Sequence, residues 1–259
     1  MMPVALVTAT AALYAWGLWR AHRARRPFPP LAIVAFVLGL AVVLGALVGP
    51  LDALSDRSLS WHMVQHLALI SVAAPLLLLG APLRLALAAL PPRAAMTLAR
   101  ALNSVPMRVV DHPAFGFLLL TAVLYGTHFS PLYERSLENE NIHALEHLLY
   151  ITTALVYWSP IFAVAPAPHA PPHPVRILSL FLSLPMSAFL GFALYVSNRV
   201  LYPHYAARPD ALADQMNAGA VMWLTAGTPV LVVLLWCVAD WGARERRLGA
   251  AYDAQTTEH

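Results

Sequence analysis

Long apolar runs broken by short polar stretches dominate the chain. A helix needs roughly 20 mostly apolar residues to cross a bilayer, with a range of about 17 to 25. By that measure seven segments qualify: Pro3–Trp19, Pro30–Val48, Trp61–Leu79, Pro113–Thr127, Ile142–Val164, Pro174–Val196 and Met216–Ala239. The pattern predicts an all-α, polytopic integral membrane protein: a seven-transmembrane-helix bundle over residues 1–248 and a short tail over 249–259. Between the third and fourth runs, residues 83–110 mix arginine with alanine and leucine at helical spacing, which predicts an amphipathic segment lying along one membrane face. The stretch "APAPHAPPHP" predicts a non-helical loop because proline cannot donate to a helix ladder.

Charge orients this bundle. Every basic residue is arginine, and "RAHRARR" follows the first run, fixing that loop inside by the positive-inside rule. The first run carries no preceding basic residues and no small-residue cleavage site, so it is expected to stay as a helix and not to leave as a signal peptide. Counting onward, the inner connections take most of the arginines, and only Arg57, Arg135, Arg199 and Arg208 fall outside. The N-terminus is therefore expected outside and the C-terminus in the cytoplasm.

Composition excludes several classes. Of 259 residues, 59% are hydrophobic and 11% charged, far from the balance of a soluble domain. The basic pI of about 9.2 reflects loop arginines that set topology, and no nucleic-acid-binding stripe is present. A single cysteine, Cys237, rules out both an intrachain disulfide and a thiolate-pair metal site.

Metal chemistry must then use histidine, methionine and carboxylates, and these gather at one level. His62 and His66 open the third helix, His143 and His147 open the fifth, and His128 closes the fourth; all five fall at outer ends. Residues i and i+4 share a helix face with Cβ atoms about 5 to 6 Å apart, so each HxxxH pair is half of a metal site. Glu146, in "HALEH", is a candidate ligand or the acceptor that orients one. Asp214, Gln215, Met216 and Met222 arrive at the same level on the seventh helix, and His204 lies in the connection before it. Imidazole suits zinc, copper, iron and nickel, whereas thioether favours Cu(I); Met63, Met216 and Met222 tilt the choice towards copper. Competing readings are ordinary: Asp214 capping its own helix, the methionines packing a core, and Trp61, Trp158, Trp223 and Trp241 forming an interfacial belt. His169 and His173 stand four apart, but in proline-rich chain they need share no face.

Three blocks, "HMVQHLALISVAAPLLLLGAPLRL", "IHALEHLLYITTALVYWSPI" and "LADQMNAGAVMWLTAG", resemble in order and spacing the signature blocks of the CtaG family of cytochrome c oxidase assembly factors, the multi-helix type associated with caa-type oxidases. The resemblance places the family's histidine blocks on His62 and His66 and on His143, Glu146 and His147, and its third block on Asp214 and Gln215. It implies a non-enzymatic metallochaperone of the bacterial inner membrane. Such a protein binds Cu(I) or Cu(II) at a site facing the periplasm and aids its delivery to oxidase subunit I, with that subunit or other assembly factors as partners. Two other classes fit the histidines less well: a membrane redox protein, either a bis-His haem protein or a di-iron oxygenase, and a copper transporter. Haems would want facing histidines at two depths, and a transporter would want polar residues along the inner halves of the third, fifth and seventh helices.

Overall fold

The computed structural model describes residues 2–257 and is all-helical, with no strand among them. In chain order it contains α1 (Met2–Arg23), α2 (Pro30–Val48), α3 (Pro50–Ser55), α4 (Leu59–Leu67), a π-helical stretch (Ala68–Ala73), α5 (Ala74–Leu79), α6 (Pro82–Ala89), α7 (Pro92–Leu102) and α8 (Val105–Val110). It continues through α9 (Pro113–His128), α10 (Pro131–Glu138), α11 (Glu140–Phe162), α12 (His173–Tyr195), α13 (Pro203–Ala206) and α14 (Ala211–Thr257). Each of the seven apolar runs is helical where the pattern places it. Among the described residues four helices are long and apolar enough to cross a membrane, at Pro30–Val48, Leu59–Ala89, His173–Tyr195 and Ala211–Ala250, and α9 with α10, bent by 71°, makes up to five. α11 has the length but carries Glu140, His143, Glu146 and His147 within it, α9 alone has 16 residues, and α1 intersperses Thr8, Thr10, Tyr14 and Trp16 among its aliphatics.

The segment expected along one membrane face resolves into α6, α7 and α8, each with a proline in its first turn, where the missing N–H is no loss. α14 runs on through the stretch expected as a tail. Large side chains such as Leu31, Leu118, Phe181, Leu224 and Leu235 stay exposed on the outside of the bundle, a surface suited to lipid and costly in water.

The third run is continuous but not regular. Pro75 has no N–H to return to Ile70 in the π-helical pattern, and the indole of Trp158 on α11 fills that carbonyl at 2.9 Å. This bond ties α11 to the helix bearing His62 and His66. α12 and α14 approach at glycines: a Cβ on Gly219 would lie 2.5 Å from the carbonyl oxygen of Gly191, and one on Gly191 would lie 2.7 Å from that of Gly219. Small residues at such crossings let backbones touch, and this contact fixes α14 beside the site. α9 meets α11 in the same way, since a Cβ on Gly116 would lie 2.7 Å from the Tyr157 backbone.

Candidate metal centre

Two helix starts build the cluster. α4 begins after Ser58, whose hydroxyl accepts from the Trp61 N–H, and α11 begins after Asn139, whose Oδ1 accepts from the N–H groups of Asn141 and Ile142. These caps set the helical phase from which His62 and His66 project on one helix and His143 and His147 on the other. One nitrogen from each of the four imidazoles lies within 4.8 Å of the others, the only such group of three or more histidine, cysteine or carboxylate side chains among the described residues. His62 Nε2 and His66 Nε2 are 3.0 Å apart, and the His62 ring stacks on that of His143 with centroids 5.0 Å apart. Two nitrogens each about 2.0 to 2.1 Å from one ion stand roughly 3 Å apart.

The surrounding shell sets which nitrogen is offered. Tyr205, on α13, donates its hydroxyl hydrogen to the Ser55 carbonyl at 2.9 Å, because a carbonyl can only accept. Its oxygen is left to accept from His62 Nδ1 at 3.3 Å, so the Nε2 lone pair of His62 faces the cluster. His66 Nδ1, His143 Nε2 and His147 Nε2 are buried with no hydrogen-bond partner. Buried polar atoms are nearly always satisfied, and the donors left open here are of the kind a bound ion satisfies.

Replacing Tyr205 by Phe removes the acceptor for His62 Nδ1 while keeping the ring. Loss of an outer hydrogen bond to a ligating histidine typically costs about 10- to 100-fold in metal affinity. That drop is expected in a competitive copper titration of the Tyr205→Phe protein, with the fold unchanged by circular dichroism.

Other candidates take different places. Glu146 is buried beside the cluster and accepts from the Tyr150 hydroxyl at 3.1 Å, while Thr127 Oγ1 lies 2.6 Å from that same hydroxyl. His128 donates from Nδ1 to the Leu124 carbonyl at 2.8 Å, which leaves its buried Nε2 as an unpartnered acceptor. The Tyr133 ring, fully buried, fills the space between His62 and His128, with centroids 5.4 and 5.0 Å away. Met63 and Met222 are buried in the apolar cluster that contains Tyr133, whereas Met216 and the His204 side chain are exposed. Tyr133, Tyr150 and Tyr205 escape the sequence reading; the position of Tyr150, three after His147 and four after Glu146, is the one sequence signal that pointed to any of them.

Asp214 does not cap its own helix. Its carboxylate crosses from α14 to the start of α4, where Oδ2 accepts from the Leu59 N–H at 2.7 Å and Oδ1 accepts from Ser58 Oγ at 2.8 Å, Ser60 Oγ at 2.6 Å and the Ser60 N–H at 3.3 Å. Gln215 accepts from the Leu201 N–H at 2.7 Å and donates to the Arg199 carbonyl at 3.1 Å, which fastens the connection that carries Tyr205. Gln65, between the two histidines of α4, donates to the Ala46 carbonyl and to Asp52. Burial raises the Asp52 carboxyl above the usual range, and the Gln65 hydrogen bond partly offsets that rise. His173 pairs with Asp240 at 2.9 Å, while His169 lines a separate cavity with Asp111, so these two histidines share no site.

A family model described as the cytochrome c oxidase caa3 assembly factor matches residues 12–244. Curated relatives include an uncharacterized protein of Mycobacterium bovis and another of Mycobacterium tuberculosis, each 28% identical over 253 residues, 93% of this chain and 38% of the relative. An uncharacterized protein of Mycobacterium leprae is 25% identical over 265 aligned residues, 96% of this chain and 40% of the relative. The chain thus spans about two fifths of the length of the curated relatives it matches. No solved structure matches it.

Proposed function

The chain belongs to the cytochrome c oxidase caa3 assembly factor family, and from that premise we propose that its four-imidazole cluster carries copper as cargo for the maturing oxidase, with subunit I as the recipient. The observation that carries the reading is the cluster itself: four histidines with ligating nitrogens within 4.8 Å, three of which have a buried, unpartnered ring nitrogen. Neutral imidazoles suit a borderline metal such as copper. The protein's part is to hold and release the ion, without catalysis. In this reading the seven helical runs all lie in the bacterial inner membrane, α1, α9 and α11 held there by neighbours. The N-terminus lies outside, the C-terminus in the cytoplasm, and the cluster faces the periplasm.

The geometry disfavours a bis-His haem. Axial histidines stand on opposite faces of a porphyrin, each about 2 Å from the iron, whereas His62 Nε2 and His66 Nε2 lie only 3.0 Å apart on one helix face, too close to flank a macrocycle. The test is the oxidase. In cells lacking this protein, the caa3-type oxidase is expected to assemble its haems but fall short of one copper per complex at the haem-copper centre, measured by elemental analysis and carbon monoxide recombination. Wild-type protein restores the copper and a His62→Ala/His147→Ala variant does not. A fully copper-loaded oxidase in the deletion strain sinks the proposal.

A further inference from the structure

A cavity of about 80 Å³ adjoins the imidazole cluster inside the bundle, with His66 in its wall. Three thioethers line it, Met63 from α4, Met186 from α12 and Met222 from α14, together with His128 from α9. The rest of the wall is hydrocarbon and aromatic ring with six hydroxyl-bearing residues, of which Tyr125 and Tyr157 already donate to the Met186 carbonyl and to Ser183. Two nitrogens on this wall's histidines are orphaned: His66 Nδ1 and His128 Nε2 are buried without a hydrogen-bond partner. The tautomer of His128 follows from its Nδ1–H donating to the Leu124 carbonyl, so its Nε2 carries a lone pair.

This donor set is unlike that of the first cluster. Water gains little from thioethers, which accept hydrogen bonds weakly. Soft thioether sulfur with imidazole is instead a set that selects Cu(I) over zinc or Cu(II). The wall holds no carboxylate, and a monovalent ion is less costly to bury among neutral donors than a divalent one. Met63 and His66 are three apart on α4, so one helix face presents a thioether and an imidazole together.

We propose that this cavity is a second copper position, specific for Cu(I), in which Met63, Met222 and His128 are the principal ligands and Met186 completes the shell. It deepens the copper-handling reading above and rests on it. His66 belongs to both positions, which makes it the residue across which an ion passes: bonds to His62, His143 and His147 are exchanged for bonds to the thioethers and His128. The ion stays Cu(I) throughout, so the exchange needs no oxidant or reductant.

The test is an anaerobic titration of the purified full chain with Cu(I) against a chromophoric chelator, paired with selenium-edge X-ray absorption of selenomethionine-labelled protein. Two equivalents are expected for the wild type. One is expected for Met63→Leu/Met186→Leu/Met222→Leu, whose leucines keep the wall's volume. Loading the second equivalent is expected to give a selenium–copper scattering path in the labelled protein, a readout that needs no substitution. A single equivalent abolished by His62→Ala/His147→Ala, with no selenium–copper path, overturns the second position and leaves the imidazole reading intact. Folded protein that binds no copper at all overturns both. A co-purified lipid or quinone filling the cavity, with no selenium–copper path at any loading, overturns the second position in favour of an apolar ligand.

Discussion

His62→Ala combined with His147→Ala is expected to lower the affinity of the first copper equivalent by about four orders of magnitude. Four-ligand structural sites are worth roughly 10 to 16 kcal/mol of binding free energy. Half the ligands therefore account for at least about 5 kcal/mol, and each 1.4 kcal/mol is tenfold. The pair takes one imidazole from each helix, so neither remaining HxxxH half-site is whole. In the metal-free protein His147 Nε2 makes no hydrogen bond that would be lost, whereas His62 gives up its bond to the Tyr205 hydroxyl and its contact with His66, so the stability of the metal-free variant is measured alongside its affinity. Thermal unfolding in detergent separates the two effects. Copper at 100 times its dissociation constant stabilises the wild type by about 2.7 kcal/mol, and the variant is expected to lose the part of the shift that the imidazole position supplies. His204→Ala is the control: its side chain is exposed, and copper binding is expected to stay at the wild-type value. Equal affinity in the double variant would place the ion elsewhere.

The part of this site that follows local rules is legible in the sequence. His62/His66 and His143/His147 converge because helical periodicity is fixed and because the outer ends of two apolar runs must meet at one level. The parts set by long-range contact are not. Tyr205 reaches His62 from a connection 143 positions away, and nothing local separates it from its neighbour His204, which faces outward. The irregular turn after His66 follows from Pro75, but nothing in the local sequence marks Trp158, whose pattern fits an interfacial aromatic, as the partner of the freed carbonyl. Membrane spans show a related limit. α11 reads as a span from its length, yet the residues that make it a ligand helix also dilute its apolar character. Hydropathy and function compete for the same positions.

Asp214 carries that point furthest, and Asp214→Ala is expected to be the most destabilising single substitution near the site. The carboxylate receives Ser58 Oγ, the Leu59 N–H, Ser60 Oγ and the Ser60 N–H, and Leu59 is only 2% exposed. Donors at a helix start have no partner within the helix, and each buried group left unpaired costs about 1 to 3 kcal/mol. Two or three stranded donors make a loss of about 3 to 5 kcal/mol, a magnitude reserved for broken buried networks, and a fall in Tm on the order of 10 °C. The charge matters as well as the bonds. A cation at the cluster sits near the positive ends of α4 and α11, and a carboxylate on the first turn of α4 offsets that field by about 0.3 to 2 kcal/mol. Asp214→Asn keeps an acceptor and removes the charge, so it is expected to retain more stability than Asp214→Ala while still weakening copper. If Asp214 were instead a ligand, Asp214→Asn would lose copper with Tm unchanged. As the cross-helix cap of the histidine-bearing helix, it should lower Tm and copper affinity together, and saturating copper should restore part of the lost Tm.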